Sequence, residues 1–364
     1  MRVFVSTGER SGDQNAAYVV RRIRERFPDI TFVGMGGEGL RSAGVEVIAD
    51  PSDVAVVGFQ EALRKIGKIN RLRSLVLREA LKSDIFLAVD FPGFNLPVAL
   101  KLKEYGRRVI YYIAPQVWAW GKWRVRHLAR LDGVMVVLPF EEPFLRSYGV
   151  RAYFVGHPVA SVRGRGAFRG DRFTVGFLPG SRDDEVRRLL PRMVRIARQI
   201  RAERKDVRFL FSLPDGRDLP LEGAEGVVGM GREVIASSDV LVMASGTATL
   251  EAAVEGKPAV VLYALSEVSW WLGRFLVKTR CISLPNIILG ERVYPEYVQH
   301  IDPRKVARDV LHLYETREEV GRKLMRVREA LNEDRVARAF SLLAYGSRSP
   351  YHGPSPPPDI HPRP

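Results

Sequence analysis

The sequence predicts an α/β protein of two doubly wound, parallel-sheet domains facing a cleft. Three observations carry that expectation. Short apolar runs alternate with helical stretches along the chain, and those runs are hydrophobic at consecutive residues rather than at every second one. The pattern also breaks at a Gly/Arg-rich stretch and then restarts. A strand that is apolar at every position is buried on both faces, as in a parallel sheet covered by helices.

In the first half the strand candidates are Arg2–Ser6, 30–34, 85–90, 109–113 and 134–138, each rich in Val, Ile or Phe and closed by turn residues. Helical periodicity covers 16–27 and 70–82 between them. This unit is expected to fill residues 1–160. The polar stretch 161–172 reads as a linker. A second domain is expected over 173–344, with strands at Phe173–Leu178, Val207–Leu213, 239–244 and Ala259–Tyr263 and helices at 185–201 and 249–255. Further helices run from about 303 to 343, and the Pro-rich residues 345–364 read as a disordered tail.

A chain of 364 residues with 46% hydrophobic and 27% charged residues suits a soluble protein with two cores. No apolar run reaches the roughly 18–20 residues that a spanning helix requires. The first residues turn polar too soon for a secretory signal. The single Cys281 excludes an internal disulfide and any multi-cysteine metal site, which fits a reducing cytoplasm. A net charge of +15 points to nucleic acid, an anionic membrane surface or phosphorylated substrates, or is simply a basic surface. With no zinc-finger, helix-turn-helix or aromatic-basic RNA motif, no nucleic acid partner is expected.

The turn Gly8-Glu9-Arg10-Ser11-Gly12-Asp13 follows the first strand, where glycines permit a sharp bend and close approach of a ligand. It is equally an ordinary strand–helix turn with Asp13 as the cap. Gly34-Met-Gly36-Gly-Glu-Gly39 matches the dinucleotide pattern as a string, but it ends the second strand and lacks the acidic strand end downstream, so no nicotinamide or flavin cofactor is expected. Asp90, before Phe91-Pro92-Gly93-Phe94-Asn95, is placed to be a general base or a turn cap. Trp118 and Trp120, on the loop after the fourth run, either pack inward or meet a sugar or acyl chain.

In the second half, Pro179-Gly180-Ser181-Arg182 opens a helix to an anion, with Arg182 able to hold a phosphate. Ser245-Gly246-Thr247 repeats that logic, and Glu251 one turn on could bond a ribose. Asp183-Asp184-Glu185 reads as macrodipole complement rather than a metal site, and no metal is expected. His157 reads as a hinge or structural residue. The aromatic-basic stretch 268–278 and the basic stretch 63–73 each read either as an interfacial helix or as a packed or solvated one.

Taken in order, GERSGD (8–13), GMGG (34–37), VDFPGFN (89–95), APQVWAW (114–120), LPFEEPF (138–144), GHP (156–158), LPGSR (178–182), SGTATLE (245–251) and LVKTRCISLPNIILG (276–290) resemble lipid-A-disaccharide synthases, glycosyltransferases of the GT-B type with two Rossmann-like domains. The resemblance implies inverting transfer of 2,3-diacylglucosamine from UDP-2,3-diacylglucosamine to 2,3-diacylglucosamine 1-phosphate, giving the disaccharide 1-phosphate and UDP. It implies no cofactor, a peripheral place on the cytoplasmic face of the inner membrane, and homodimerisation. It makes Asp90 the candidate base, with Glu9 and Asp13 as rivals. Glu9, Ser11, Gly12, Asp13, Asn95, Trp118 and Trp120 become substrate-binding candidates. Arg182, Ser245, Gly246, Thr247 and Glu251 become the UDP site, and Asn286 joins it by resemblance only. Gly93 departs from the family, which often carries an acid there. The competing readings are another UDP-sugar GT-B enzyme, of the peptidoglycan N-acetylglucosaminyl transferase or UDP-N-acetylglucosamine epimerase type, or a non-catalytic basic binding protein.

Overall fold

The computed structural model describes residues 1–8, 10–51, 61–119, 121–216, 219–264 and 281–346. They form two compact units: Met1–Gly156 together with the residues from 333 on, and His157–Asn332. The first contains strands β1 (Arg2–Ser6), β2 (Thr31–Met35), β3 (Glu46–Ala49), β4 (Ile85–Val89), β5 (Arg108–Tyr112), β6 (Gly133–Val136) and β7 (Ala152–Phe154). They lie in the order 3-2-1-4-5-6-7, all parallel. Val3, Phe4, Val5 and all of β4 are buried, and the Phe4 and Phe86 rings stack across β1 and β4 at 6.0 Å. The winding direction reverses between β1 and β4. At such a switch point the connections leave in opposite directions and open a crevice beyond the strand carboxyl ends.

The second unit repeats the plan with β8 (Phe173–Leu178), β9 (Val207–Leu213), β10 (Ala224–Val228), β11 (Val240–Ala244), β12 (Ala259–Tyr263) and β13 (Glu296–Val298). Their order is 10-9-8-11-12-13, again parallel throughout. Its switch point falls between β8 and β11, whose carboxyl ends carry the LPGSR and SGTATLE segments.

The domain limits differ from the expected ones at both ends. Residues 161–172 are part of the second unit, not a free linker. The Glu233 carboxylate accepts the N–H groups of Arg165 and Ala167, Glu255 accepts that of Gly164, and Ser237 accepts that of Phe168. The last helix, Val336–Tyr345, belongs to the first unit rather than to a domain ending at 344. It buries Val336, Phe340 and Leu343, and Leu343 fills the space that a side chain on Gly133 of β6 would occupy. The chain therefore passes between the units at 156/157 and again at 332/333. Gly156 has φ +84 and the Glu333 carbonyl lies where its Cβ would be, so both backbone conformation and space demand glycine. No described helix is long and apolar enough to cross a membrane.

Candidate active site

The segment after β4 takes an unusual turn. Asp90 and Phe91 have φ of 47° and 51°, a left-handed pair without glycine that costs about 1–3 kcal/mol per residue. Internal bonds hold it. Asn95, fully buried, donates from Nδ2 to the carbonyls of Ser6, Val89 and Asp90 at 3.0, 3.2 and 2.9 Å and accepts the Ser6 hydroxyl at 2.6 Å. The Tyr111 hydroxyl donates to the Asp90 carbonyl at 2.7 Å, and the Asp90 N–H donates to Tyr112 of β5. Burial, with the Asp90 charge adding to it, raises the Tyr111 phenol well above its ordinary value, so it stays a protonated donor. Asp90 is thus left half-buried at the crevice end of the sheet. Asn95 ties the ends of β1 and β4 together and touches no ligand-accessible space, which corrects its reading as a substrate-binding residue.

Gly12, on the first turn of helix Arg10–Arg26, backs onto the same turn. A Cβ there would sit 2.6 Å from the Thr7 hydroxyl and 3.9 Å from Asp90 Cβ. Ser11 is exposed beside it. Asp13 turns inward, accepting the N–H groups of Gly37, Gly39 and Leu40 at 2.8, 2.6 and 3.2 Å. This explains the Gly34–Gly39 string without a dinucleotide: a Cβ on Gly39 would lie 2.6 Å from an Asp13 oxygen. With both carboxylate oxygens occupied and the residue 7% exposed, Asp13 is a structural anchor rather than a substrate contact or rival base. Glu9 and Trp120 lie outside the described residues.

Trp118 also packs inward. Its indole N–H donates to Glu141 at 3.0 Å and its ring meets Phe140 edge-on at 5.0 Å, so the half-buried Trp118 pins the loop after β5 to the unit's own interior. Glu141 also accepts the Leu138 N–H at 3.1 Å, and burial pushes its carboxyl up to about 7. Because the folded value lies above the ordinary 4.5, this group's contribution to stability is complete below about pH 4.5 and is lost as pH rises through about 7. At about 1.4 kcal/mol per pKa unit the loss is on the order of 3 kcal/mol. Urea melts of the parent should therefore show stability falling between pH 5 and 8 relative to Glu141→Gln. Parallel pH profiles for the two would refute the assignment.

In the second unit, Arg182 and Ser181 are exposed at the end of β8, where Arg182 begins helix Asp183–Glu203. Gly180 has φ +108, and the Glu185 carboxylate fills the space its Cβ would take. Burial raises the Glu185 carboxyl, while Arg182 and the Ser181 N–H lower it. Tyr263, at the end of β12, feels both Glu185 and Arg182. Glu185 and Tyr263 thus belong to the Arg182 cluster, which sequence reasoning missed. Glu185 had looked like macrodipole complement, and Tyr263 carried no signal beyond closing an apolar run. Asp183 and Asp184 pair with Arg187 and Arg188 one turn on. Among the described residues no group of three or more His, Cys, Asp or Glu is placed to hold a metal ion.

Gly246 and Thr247 are exposed at the end of the neighbouring strand β11, opening helix Thr247–Val254. Ser245 donates its hydroxyl to the Ile282 carbonyl at 3.0 Å. Glu251 pairs with Arg232 at 3.0 Å, a partner with no sequence signal. Asn286 is fully buried and saturated: it donates to Tyr294 O and Glu296 and accepts from the N–H groups of Val293 and Tyr294. Glu296 in turn accepts the N–H groups of Ile282 and Ser283. Asn286 therefore stands behind Ser245 through Glu296 and the 282–283 backbone, which corrects its reading as a direct donor-site residue. His157 caps the turn Pro158–Ser161, its Nδ1 accepting the Val159 N–H at 3.1 Å, and burial lowers the imidazole to about 4.

The sequence and the fold have counterparts in known proteins. A family model described as lipid-A-disaccharide synthetase matches residues 3–339. The lipid-A-disaccharide synthase of Myxococcus xanthus is 39% identical over 362 residues, 92% of this chain and 94% of that protein. Among solved structures, a putative UDP-N-acetylglucosamine 2-epimerase from Listeria monocytogenes matches with a TM-score of 0.67 over 96% of this chain and 98% of that one, at 13% identity. The glycotransferase of kitacinnamycin matches with a TM-score of 0.63 over 94% and 98%, at 17% identity. At such identities the likeness is one of fold, the GT-B arrangement of two parallel-sheet units. With the family model spanning nearly the whole chain and a close relative aligned along it, this chain belongs to the lipid-A-disaccharide synthase family, hexosyltransferases that use a UDP-sugar in lipid A synthesis.

Proposed function

We propose that the chain moves 2,3-diacylglucosamine from its UDP derivative to 2,3-diacylglucosamine 1-phosphate, with Asp90 as general base and the second unit as the UDP holder. The observation that carries this reading is Asp90, set by a strained and fully braced turn at the switch point of the first sheet. The acceptor hydroxyl oxygen bonds to the anomeric carbon as the bond to the UDP oxygen breaks. The hydroxyl proton passes to the Asp90 carboxylate, UDP leaves with the bonding pair, and configuration inverts. Arg182 and the N–H groups at Gly246 and Thr247 neutralise the diphosphate, so the reading needs no cofactor. Ser245 and Glu251 act from behind that surface, Glu251 beside Arg232.

The acceptor and donor are lipids, so the reading includes a peripheral place on the anionic cytoplasmic face of the inner membrane. In its support, Trp123 is 58% exposed with Arg124 and Arg126 against its ring at 5.2 and 5.9 Å. Lys122, Arg126 and Arg130 are exposed around it, and residues 121–131 contain no acid. The stretch 268–278 lies outside the described residues. One preparation tests the whole reading. The parent should form disaccharide in detergent micelles and float with anionic vesicles but not neutral ones. Arg182→Ala should weaken UDP binding about 10- to 100-fold, the range for losing a charge-assisted bond. A folded parent that binds UDP yet forms no disaccharide would sink the substrate assignment.

A further inference from the structure

Arg73 is a cation that the mechanism above leaves unused. It lies on helix Glu61–Ala80, in a stretch whose sequence suggests only solvated or interfacial charge. The structure instead docks it on the first turn of the helix Pro92–Glu104, which follows Asp90 and Phe91 directly. Arg73 Nη2 donates to the Gly93 carbonyl at 2.7 Å, and the guanidinium carbon stands 5.7 Å from the centre of the Phe94 ring. Its Nε is buried with no hydrogen-bond partner among the described residues, and the Gly93 contact is at the surface. Among the described residues no carboxylate pairs with it, although 16 other ion pairs are formed. Among the described residues nothing lies within 4 Å of a Cβ built at Gly93.

A half-buried guanidinium held by a ring and a carbonyl has lost much of its rotamer freedom before any anion arrives, and its remaining N–H groups suit phosphate oxygens. We infer that Arg73 receives the phosphate monoester of the acceptor. This rests on the reading of Asp90 as the base: an acceptor whose hydroxyl meets Asp90 has a sugar ring's breadth in which to place its phosphate, and Arg73 is a cation fixed to Gly93, three residues further along the chain. The Gly93 bond keeps the fork in place, and the missing side chain at Gly93 keeps the approach clear.

The test compares the parent with Arg73→Gln and Arg73→Lys on the 1-phosphate acceptor and on the same acceptor without phosphate. Arg73→Gln should raise the KM for the phosphorylated acceptor about 10- to 100-fold. The penalty on the dephosphorylated acceptor, and any change in donor KM, should stay within about threefold. Arg73→Lys keeps the charge without the fork and should fall between. An equal penalty on both acceptors would make Arg73 a brace for the turn and overturn the proposal. A rise in donor KM alone would give the anion to the donor diphosphate and overturn it too. If Arg73→Gln does not fold, Arg73→Lys decides by the same comparison. The parent's own turnover in this assay separates failure of the inference from failure of the underlying reaction.

Discussion

Asp90→Asn is expected to abolish disaccharide formation while UDP binding is unchanged. The substitution keeps the side chain's size and leaves the backbone bonds of the turn intact, since Asn95 and Tyr111 hold the Asp90 carbonyl and not its carboxylate. What it removes is a proton acceptor, and loss of a general base costs about 10²- to 10⁴-fold in rate. The UDP affinity should hold because the proposed diphosphate site is built from residues of the second unit. Single-turnover kinetics with saturating donor reads the chemical step directly. A variant with more than about a tenth of the parent rate would remove Asp90 as base on this scale. The role would then pass to Glu9, because Asp13 has both oxygens committed to the backbone of 37–40.

Asn95→Ala should be the most damaging change at a residue that touches no substrate. Asn95 is 0% exposed and its amide makes four bonds that join β1, β4 and the Asp90 turn. Removing it strands the Ser6 hydroxyl, takes a donor from the Ser6 and Val89 carbonyls and leaves the Asp90 carbonyl to Tyr111 alone, worth roughly 3–5 kcal/mol of stability. It also releases the left-handed pair at Asp90 and Phe91, whose strain needs the brace. A base displaced by about 1 Å loses on the order of 10²-fold in kcat. Urea melts and kcat should therefore fall together. A variant as stable as the parent, or one that loses stability but keeps kcat, would refute the idea that Asn95 positions Asp90.

The central strands of both sheets were legible as apolar runs, several to the residue, because a strand covered on both faces must be hydrophobic at every position. The four strands that the runs did not reveal are β3, β7, β10 and β13, and these are the four sheet edges. An edge strand is covered on fewer sides and need not be apolar throughout: Ala224–Val228 has no buried residue, and Glu296–Val298 is half-buried along its length. The last helix shows the same limit. Its apolar face was evident, but periodicity reports that a face exists and not which sheet receives it, and so Val336–Tyr345 was expected with the second domain.

At the site, the chain order alone located the turns after β1, β4, β8 and β11, because strand–turn–helix alternation puts each of them at a strand's carboxyl end. It also singled out Asp90 and Arg182, which the structure leaves half-buried and exposed at those ends. The direction of each side chain was decided only by folding. Asp13, Asn95, Trp118 and Asn286 carry the chemistry of binding residues, and the folded chain turns all four inward to satisfy its own backbone and its own carboxylates. Arg73, which reads as one more surface charge, is instead fixed to the Gly93 carbonyl. Composition and spacing determine which strands are buried and where turns fall, because burial is averaged along a segment. Whether a polar group serves the ligand or the fold depends on hydrogen bonds between residues as far apart as Ser6 and Asn95, and those exist only once the two strands lie side by side.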